Sequence, residues 1–174
     1  LFGGLMAERG LDVTLLDIWR EHIDAINTQG LRMIGYGGDR AIRVRATNDA
    51  RSIGGADVVL FQCKAFDNET AAQSVKHLFT GNTVAISFQN GLGNEEVIGR
   101  FVGIENVLGG LTAQAGLVEA PGIVRNFGDL PAQHAQNAQR FQIMGQRSRG
   151  TASQVMKMHA HTDTFSSKAG SRVF

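Results

Sequence analysis

The stretch ADVVLFQCKAFDNETAAQSVKHLFTGNTVAISFQNGLGNEE, residues 56–96, decides the fold. ADVVLFQ (56–62) is a continuous apolar run of strand length, suited to burial on both faces. FDNETAAQSVKHLF (66–79) places Ala72, Val75 and Phe79 on one side of a helix, and NTVAISFQ (82–89) reads as a further buried strand. Two such strands joined through an amphipathic helix predict a βαβ unit in a parallel sheet. The loop SFQNGLGNEE (87–96) then turns into a helix over 93–102. Its glycines leave the strand edge open, Asn94 is the candidate cap, and Glu95 and Glu96 fall in the first turn, where the helix dipole favours acids.

The same alternation extends outward. DVTLLD (12–17) is a strand, and WREHIDAINTQG (19–30) a helix with Trp19, Ile23 and Ile26 on one face and Gly30 to end it. LRMIGYGGDRAIRVRA (31–46) reads as two strands joined over Gly37–Gly38. NVLGGLTAQA (106–115) and GIVRNF (122–127) read as two strands around a turn at Pro121–Gly122. LFGGLMAERG (1–10) has the period of a helix running into the strand at 12–17. The expectation is an α/β chain with a Rossmann-like, doubly wound, mostly parallel sheet. Residues 1–128 would form a partial NAD(P)-binding domain lacking its first strand and glycine-rich turn.

Beyond Leu130 the character changes. The last 44 residues contain no leucine, glutamine recurs at 133, 136, 139, 142, 146 and 154, and no apolar period is sustained. A core cannot be built from that composition. The expectation for 129–174 is a polar, basic, disordered or aberrant tail. It would be either a flexible appendage or, the favoured reading, a stretch outside the protein's proper continuation, as a frame error or truncation would produce.

The 174 residues, 43% hydrophobic and 19% charged, have the profile of a globular domain with a core of its own. No apolar run nears the ~18 residues of a membrane span, and no export signal is visible, so no membrane partner and a cytoplasmic location are expected. The single Cys63 has no partner for an internal disulfide. The net charge of +1 hides an acidic body, 11 Lys/Arg against 15 Asp/Glu through residue 130, and a basic tail, six against one. The tail has no run of adjacent basic residues and no aromatic interleaving beyond Phe141, Phe165 and Phe174, so no nucleic-acid partner is expected.

Candidate chemistry lies at the strand ends, where open α/β sheets bind ligands. Asp17 closes the first strand where a dinucleotide fold places an acid on the adenosine ribose; it could equally cap the following helix. Arg20 could instead meet a 2′-phosphate. Lys64 ends DVVLFQCK, and Asn90 follows the next strand, so a cation and an amide on neighbouring edges form a polar cradle for a cofactor or small oxygenated substrate. Cys63 is expected as a small buried hydrophobe, His22 and His77 as solvated helix residues. His159 and His161 lack a third metal ligand.

The strings LFGGLMAERGLDVTLLDIWREHIDAINTQGLRM, VVLFQCKAFDNETA, SFQNGLGNEE and VLGGLTAQAGLVEAPGIVRNFG, in this order, resemble the N-terminal half of ketopantoate reductase (2-dehydropantoate 2-reductase). The QNGLGNEE and CKA elements carry most of the specificity. The resemblance implies a Rossmann domain that binds NADPH, a helical second domain, and a cleft between them in which ketopantoate is reduced to pantoate on the route to pantothenate and coenzyme A. By position it implies cofactor contacts from Lys64 and from Asn90, which would also touch the small 2-keto acid substrate, and a backbone contact from Ala115 to the nicotinamide carboxamide.

The departures are as informative. The family's glycine-rich turn would end before Leu1, and its catalytic lysine belongs to a KL…N helix that nothing in 129–174 matches, Lys157 included. No catalytic residue is therefore expected within this chain, and the expectation is a fragment with little activity alone. Asp17 keeps NAD open beside NADP. Another two-domain β-hydroxyacid-type dehydrogenase and a non-catalytic dinucleotide-binding module remain as alternatives, and oligomeric state is not legible.

Overall fold

The structure, a computed structural model, describes residues 1–129 and the backbone of three short strands at 141–143, 156–158 and 172–173. The residues described up to 129 divide into two compact units, one comprising Leu1–Ile53 with residues 113–129, the other Gly54–Thr112.

The first unit begins with helix α1 (Phe2–Glu8), strand β1 (Asp12–Leu16) and helix α2 (Arg20–Gln29). Strands β2 (Leu31–Gly35), β3 (Arg40–Ile42) and β4 (Arg45–Thr47) follow. β4 pairs parallel with β1, whereas β3 pairs antiparallel with β2. The run expected as one two-stranded hairpin over 31–46 is thus three strands serving two sheets. Between Ile42 and Arg45 the chain changes partner.

Ile23 and Ile26 of α2 pack with Leu31, Met33, Ile42 and Val124 in a single apolar cluster, whereas Trp19, expected on the same face, caps the helix and is exposed. Gly4 of α1 lies so close to this cluster that a Cβ there would come within 2.7 Å of Leu31 and 2.8 Å of the Met33 sulfur.

The second unit contains the βαβ segment: β5 (Val58–Phe61), α3 (Asn68–Val75) and β6 (Val84–Ser87), continued by α4 (Asn94–Val102) and β7 (Val107–Gly109). β5, β6 and β7 are parallel neighbours in that order. The helix expected over 66–79 is α-helical only through Asn68–Val75, with 3-10 turns at Ala65–Asp67 and Lys76–Leu78. Ala72 and Val75 are buried as its apolar face.

The expected strand 106–115 is two strands, β7 here and β8 (Gln114–Ala120) in the first unit, where β8 pairs antiparallel with β9 (Ile123–Asp129) across the Pro121–Gly122 turn. β9 runs parallel to β2 in a four-stranded sheet of order β3-β2-β9-β8.

Strands β10 (Phe141–Ile143) and β11 (Met156–Met158) pair antiparallel, and β12 (Arg172–Val173) lies parallel to β1. The readings of the tail as disordered or aberrant, of Lys157, and of His159 and His161 otherwise fall outside the described residues.

Candidate functional site

The strand ends of the second unit are tied by side-chain amides. Gln89, two residues past β6, donates from Nε2 to the Cys63 carbonyl at 2.6 Å and to Asn68 Oδ1 at 2.7 Å, while its Oε1 meets Ser87 Oγ at 2.9 Å. Asn68, the first residue of α3, donates from Nδ2 to Asn94 Oδ1 at 2.9 Å. Asn94 Nδ2 in turn donates to the Asn90 carbonyl at 3.2 Å. Lys64 follows Cys63 and Asn90 follows Gln89, so each lies one residue beyond a partner in the 2.6 Å hydrogen bond. The two are therefore held on adjacent strand ends.

Both side chains are exposed, and neither the Lys64 ammonium nor the Asn90 amide is engaged by another described residue. An exposed cation beside an exposed donor–acceptor amide fits an oxygen-rich ligand such as a dinucleotide or a 2-keto acid.

The loop geometry corrects two expectations. Asn94 is not the cap: Gly93 is, in the left-handed conformation with φ 84°, and Asn94 is the first helical residue with its side chain turned into the amide chain. The glycines also serve backbone shape rather than bulk. A Cβ at Gly91 would meet only Asn94 Nδ2, at 3.8 Å, but the φ of 105° there is a conformation that L side chains rarely adopt.

Cys63 is half-buried, and burial pushes its thiol up from the ordinary value. Its Sγ lies 3.3 Å from Asn68 Oδ1. The thiolate needed for nucleophilic work is thereby disfavoured.

In the first unit, Asp17 follows β1 directly and its Oδ1 accepts from the Trp19 N–H at 3.0 Å. The carboxylate thus braces the entry to α2, while its second oxygen has no partner among the described residues. Arg20 is exposed at the start of α2. Ala115, half-buried in β8 opposite Gly128, belongs to the four-stranded sheet, whereas Asp17 belongs to the β1–β4 edge.

His22 is buried rather than solvated, at 7% exposure. Its Nδ1 accepts from the Gly122 N–H at 3.0 Å, and its ring stacks on Trp19 with centroids 5.4 Å apart. Burial lowers its pKa, against the opposing influence of the Asp17 carboxylate. His77 is exposed. Among the described residues there is no cluster of three or more His, Cys, Asp or Glu that could hold a metal, and no helix is long and apolar enough to cross a membrane.

Parallel ladders, crossover helices and polar groups gathered at carboxyl strand ends define a Rossmann-like α/β protein. Residues 1–138 match the family described as ketopantoate reductase PanE/ApbA. A 2-dehydropantoate 2-reductase of Pyrococcus abyssi is 38% identical over 126 residues, covering 72% of this chain and 40% of that protein. Two solved structures are similar at 30% and 31% identity, with TM-scores of 0.68 and 0.67 and 73% of this chain covered in each. They are a ternary D-mandelate dehydrogenase with NADH and anilino(oxo)acetate, and a PanE/ApbA family ketopantoate reductase from Ralstonia eutropha JMP134, of which the chain covers 41% and 42%. The chain belongs to the ketopantoate reductase family and spans about two fifths of the length of these relatives.

Proposed function

We propose that this chain supplies the nicotinamide-dinucleotide-binding part of a 2-dehydropantoate 2-reductase, an oxidoreductase that moves a hydride from NADPH to the ketone of a small 2-keto acid, ketopantoate. The observation that carries the reading is the junction of Lys64 and Asn90 on adjacent parallel strand ends in a chain of this family. When bound, the dinucleotide supplies the hydride. The chain's own part is positional: the Lys64 ammonium neutralises negative charge, and the Asn90 amide offers a donor and an acceptor to cofactor and substrate.

In this reading Asp17 lies on the ribose side, Ala115 gives a backbone contact, and the group that protonates the new alkoxide comes from outside the chain. Alone, the chain is then expected to bind without appreciable turnover.

NADH is the second reading, favoured by the exposed carboxylate of Asp17 after β1, which repels a 2′-phosphate, and by the NADH in the D-mandelate dehydrogenase structure. Titrating the purified chain with NADPH and NADH by calorimetry tests both. Saturable binding is expected, tighter for NADPH and weakened about tenfold by Lys64→Ala, the scale of one charge-assisted contact. No saturable binding of either dinucleotide would sink the proposal; tighter binding of NADH would transfer it to the second reading.

A further inference from the structure

We propose that Gln89, Asn68 and Asn94 form a one-way amide relay that fixes Lys64 and Asn90 relative to each other, with Asn68 at its centre as a positioning residue. The proposal rests on the dinucleotide-binding reading of those two side chains.

The relay starts and ends on backbone carbonyls. At one end the Cys63 carbonyl can only accept, so Gln89 must present Nε2 to it. The second Nε2 proton then goes to Asn68 Oδ1, leaving Asn68 Nδ2 to donate to Asn94 Oδ1. That leaves Asn94 Nδ2 for the Asn90 carbonyl, again an obligate acceptor, with the Gly91 carbonyl at 3.5 Å. The two ends thus demand the same polarity. Reversing any one amide sets acceptor against acceptor or donor against donor along the line.

Asn68 and Asn94 are 0% and 4% exposed, so water cannot replace a lost link cheaply. Each is the first residue of its helix, yet Asn68 directs its amide across to the other strand end. Movement of the Asn90 backbone is therefore transmitted through neutral hydrogen bonds to the carbonyl immediately before Lys64. A ligand that engages one side chain organises the other.

A double-mutant cycle on the full chain tests the coupling, with NADPH as probe. Asn68→Ala is expected to weaken NADPH binding about tenfold, and removing Lys64 in that background should cost at least about threefold less than in the parent. Strictly additive losses would overturn the relay, because a residue that only contributes stability has no reason to alter the worth of Lys64.

Hydrogen exchange provides a readout independent of binding. In Asn68→Ala the amides at 64–65 and 90–93 should exchange about tenfold faster together, while β6 keeps its protection. Unchanged exchange at both loops would refute the relay whatever the titration shows. Absence of dinucleotide binding by the parent refutes the binding reading alone and leaves exchange to decide the relay. Should Asn68→Ala not fold, Gln89→Ala, half-buried and cutting the Cys63 end, is read by the same two measurements.

Discussion

The two units differ in one kind of polar tie: the first adds surface ion pairs to its neutral hydrogen bonds, and the second runs side-chain amides in series. In the first, the Arg–carboxylate pairs formed between described residues all lie at the surface: Glu8 of α1 with Arg40 of β3, Asp39 with Arg32 of β2, and Glu119 of β8 with Arg125 of β9. In the second, neutral amides, Asn68 and Asn94 buried and Gln89 half-buried, run in series between strand ends. Exposed pairs can be lost one by one, because water and salt already compete for each partner. Buried amides have no substitute, so each loss strands its neighbour. These uncharged amide ties are the more sensitive to single substitutions, and they lie beside the candidate binding residues.

The largest expected effect follows from that contrast. Asn94→Ala leaves both Asn68 Nδ2 and the Asn90 carbonyl without their side-chain partner, and should cost about 3 kcal/mol in urea denaturation, at the upper end for stranded buried polar groups. A loss under about 1 kcal/mol would mean that water or a shifted loop replaces the amide, and the contrast between the units would collapse.

Unit 1 has buried polar anchors of its own, Thr14, His22 and Asn126, and His22 sharpens the comparison. His22 Nδ1 can accept from the Gly122 N–H only while unprotonated. Burial lowers its pKa; the Asp17 carboxylate and the Ala120 carbonyl pull upward, and the Leu1 amino group acts in the same sense as burial. The unfolded chain therefore takes up a proton near the ordinary histidine value of about 6.5 that the folded chain resists. Stability from this group is complete above that pH and is lost as pH falls from it toward the lowered folded value. Denaturation midpoints between about pH 7 and 5 should decline in the parent and flatten in His22→Gln, which keeps an acceptor without a proton to gain. An unaltered slope would remove His22 from the account.

How far the sequence announced these features depends on whether the signal was local. The βαβ segment 56–96 was legible because apolar runs of strand length and a helical period are properties of neighbouring residues. The fold class and the placement of Lys64 and Asn90 after β5 and β6 followed from it.

Changes of partner were not legible. AIRVRA keeps its alternation through Val44 while passing from the β2 ladder to the β1 ladder, and VLGGLTAQA passes from β6 to β9. Gly109 and Gly110 mark that second passage: a Cβ there would lie 2.3 Å from Glu95 and 2.5 Å from a Phe88 ring carbon. His22 lay on the polar side of α2 by period, but its partner is 100 residues away in sequence. The amide relay joins residues 21 and 26 positions apart, and only the polar character of 68, 89 and 94 hinted at it.

The smallest expected effect completes the contrast from the charged side. Glu8→Gln removes the charge from the pair with Arg40, whose Nη2 donates to Glu8 Oε2 at 2.9 Å. The Arg40 guanidinium holds the Glu8 carboxyl below its usual range, so the pair contributes above the unfolded value of about 4.3 and fades as pH falls through the lowered folded value. Both side chains are partly exposed, at 25% for Arg40 and 33% for Glu8, which keeps the expected loss at neutral pH under about 1 kcal/mol. Raising the salt to about 1 M, where the screening length falls to roughly 3 Å, should bring parent and variant midpoints closer together. A deficit that persists undiminished in salt would show that α1 is tied to β3 by a desolvated pair, and the first unit would then depend on its ion pairs as the second depends on its amides.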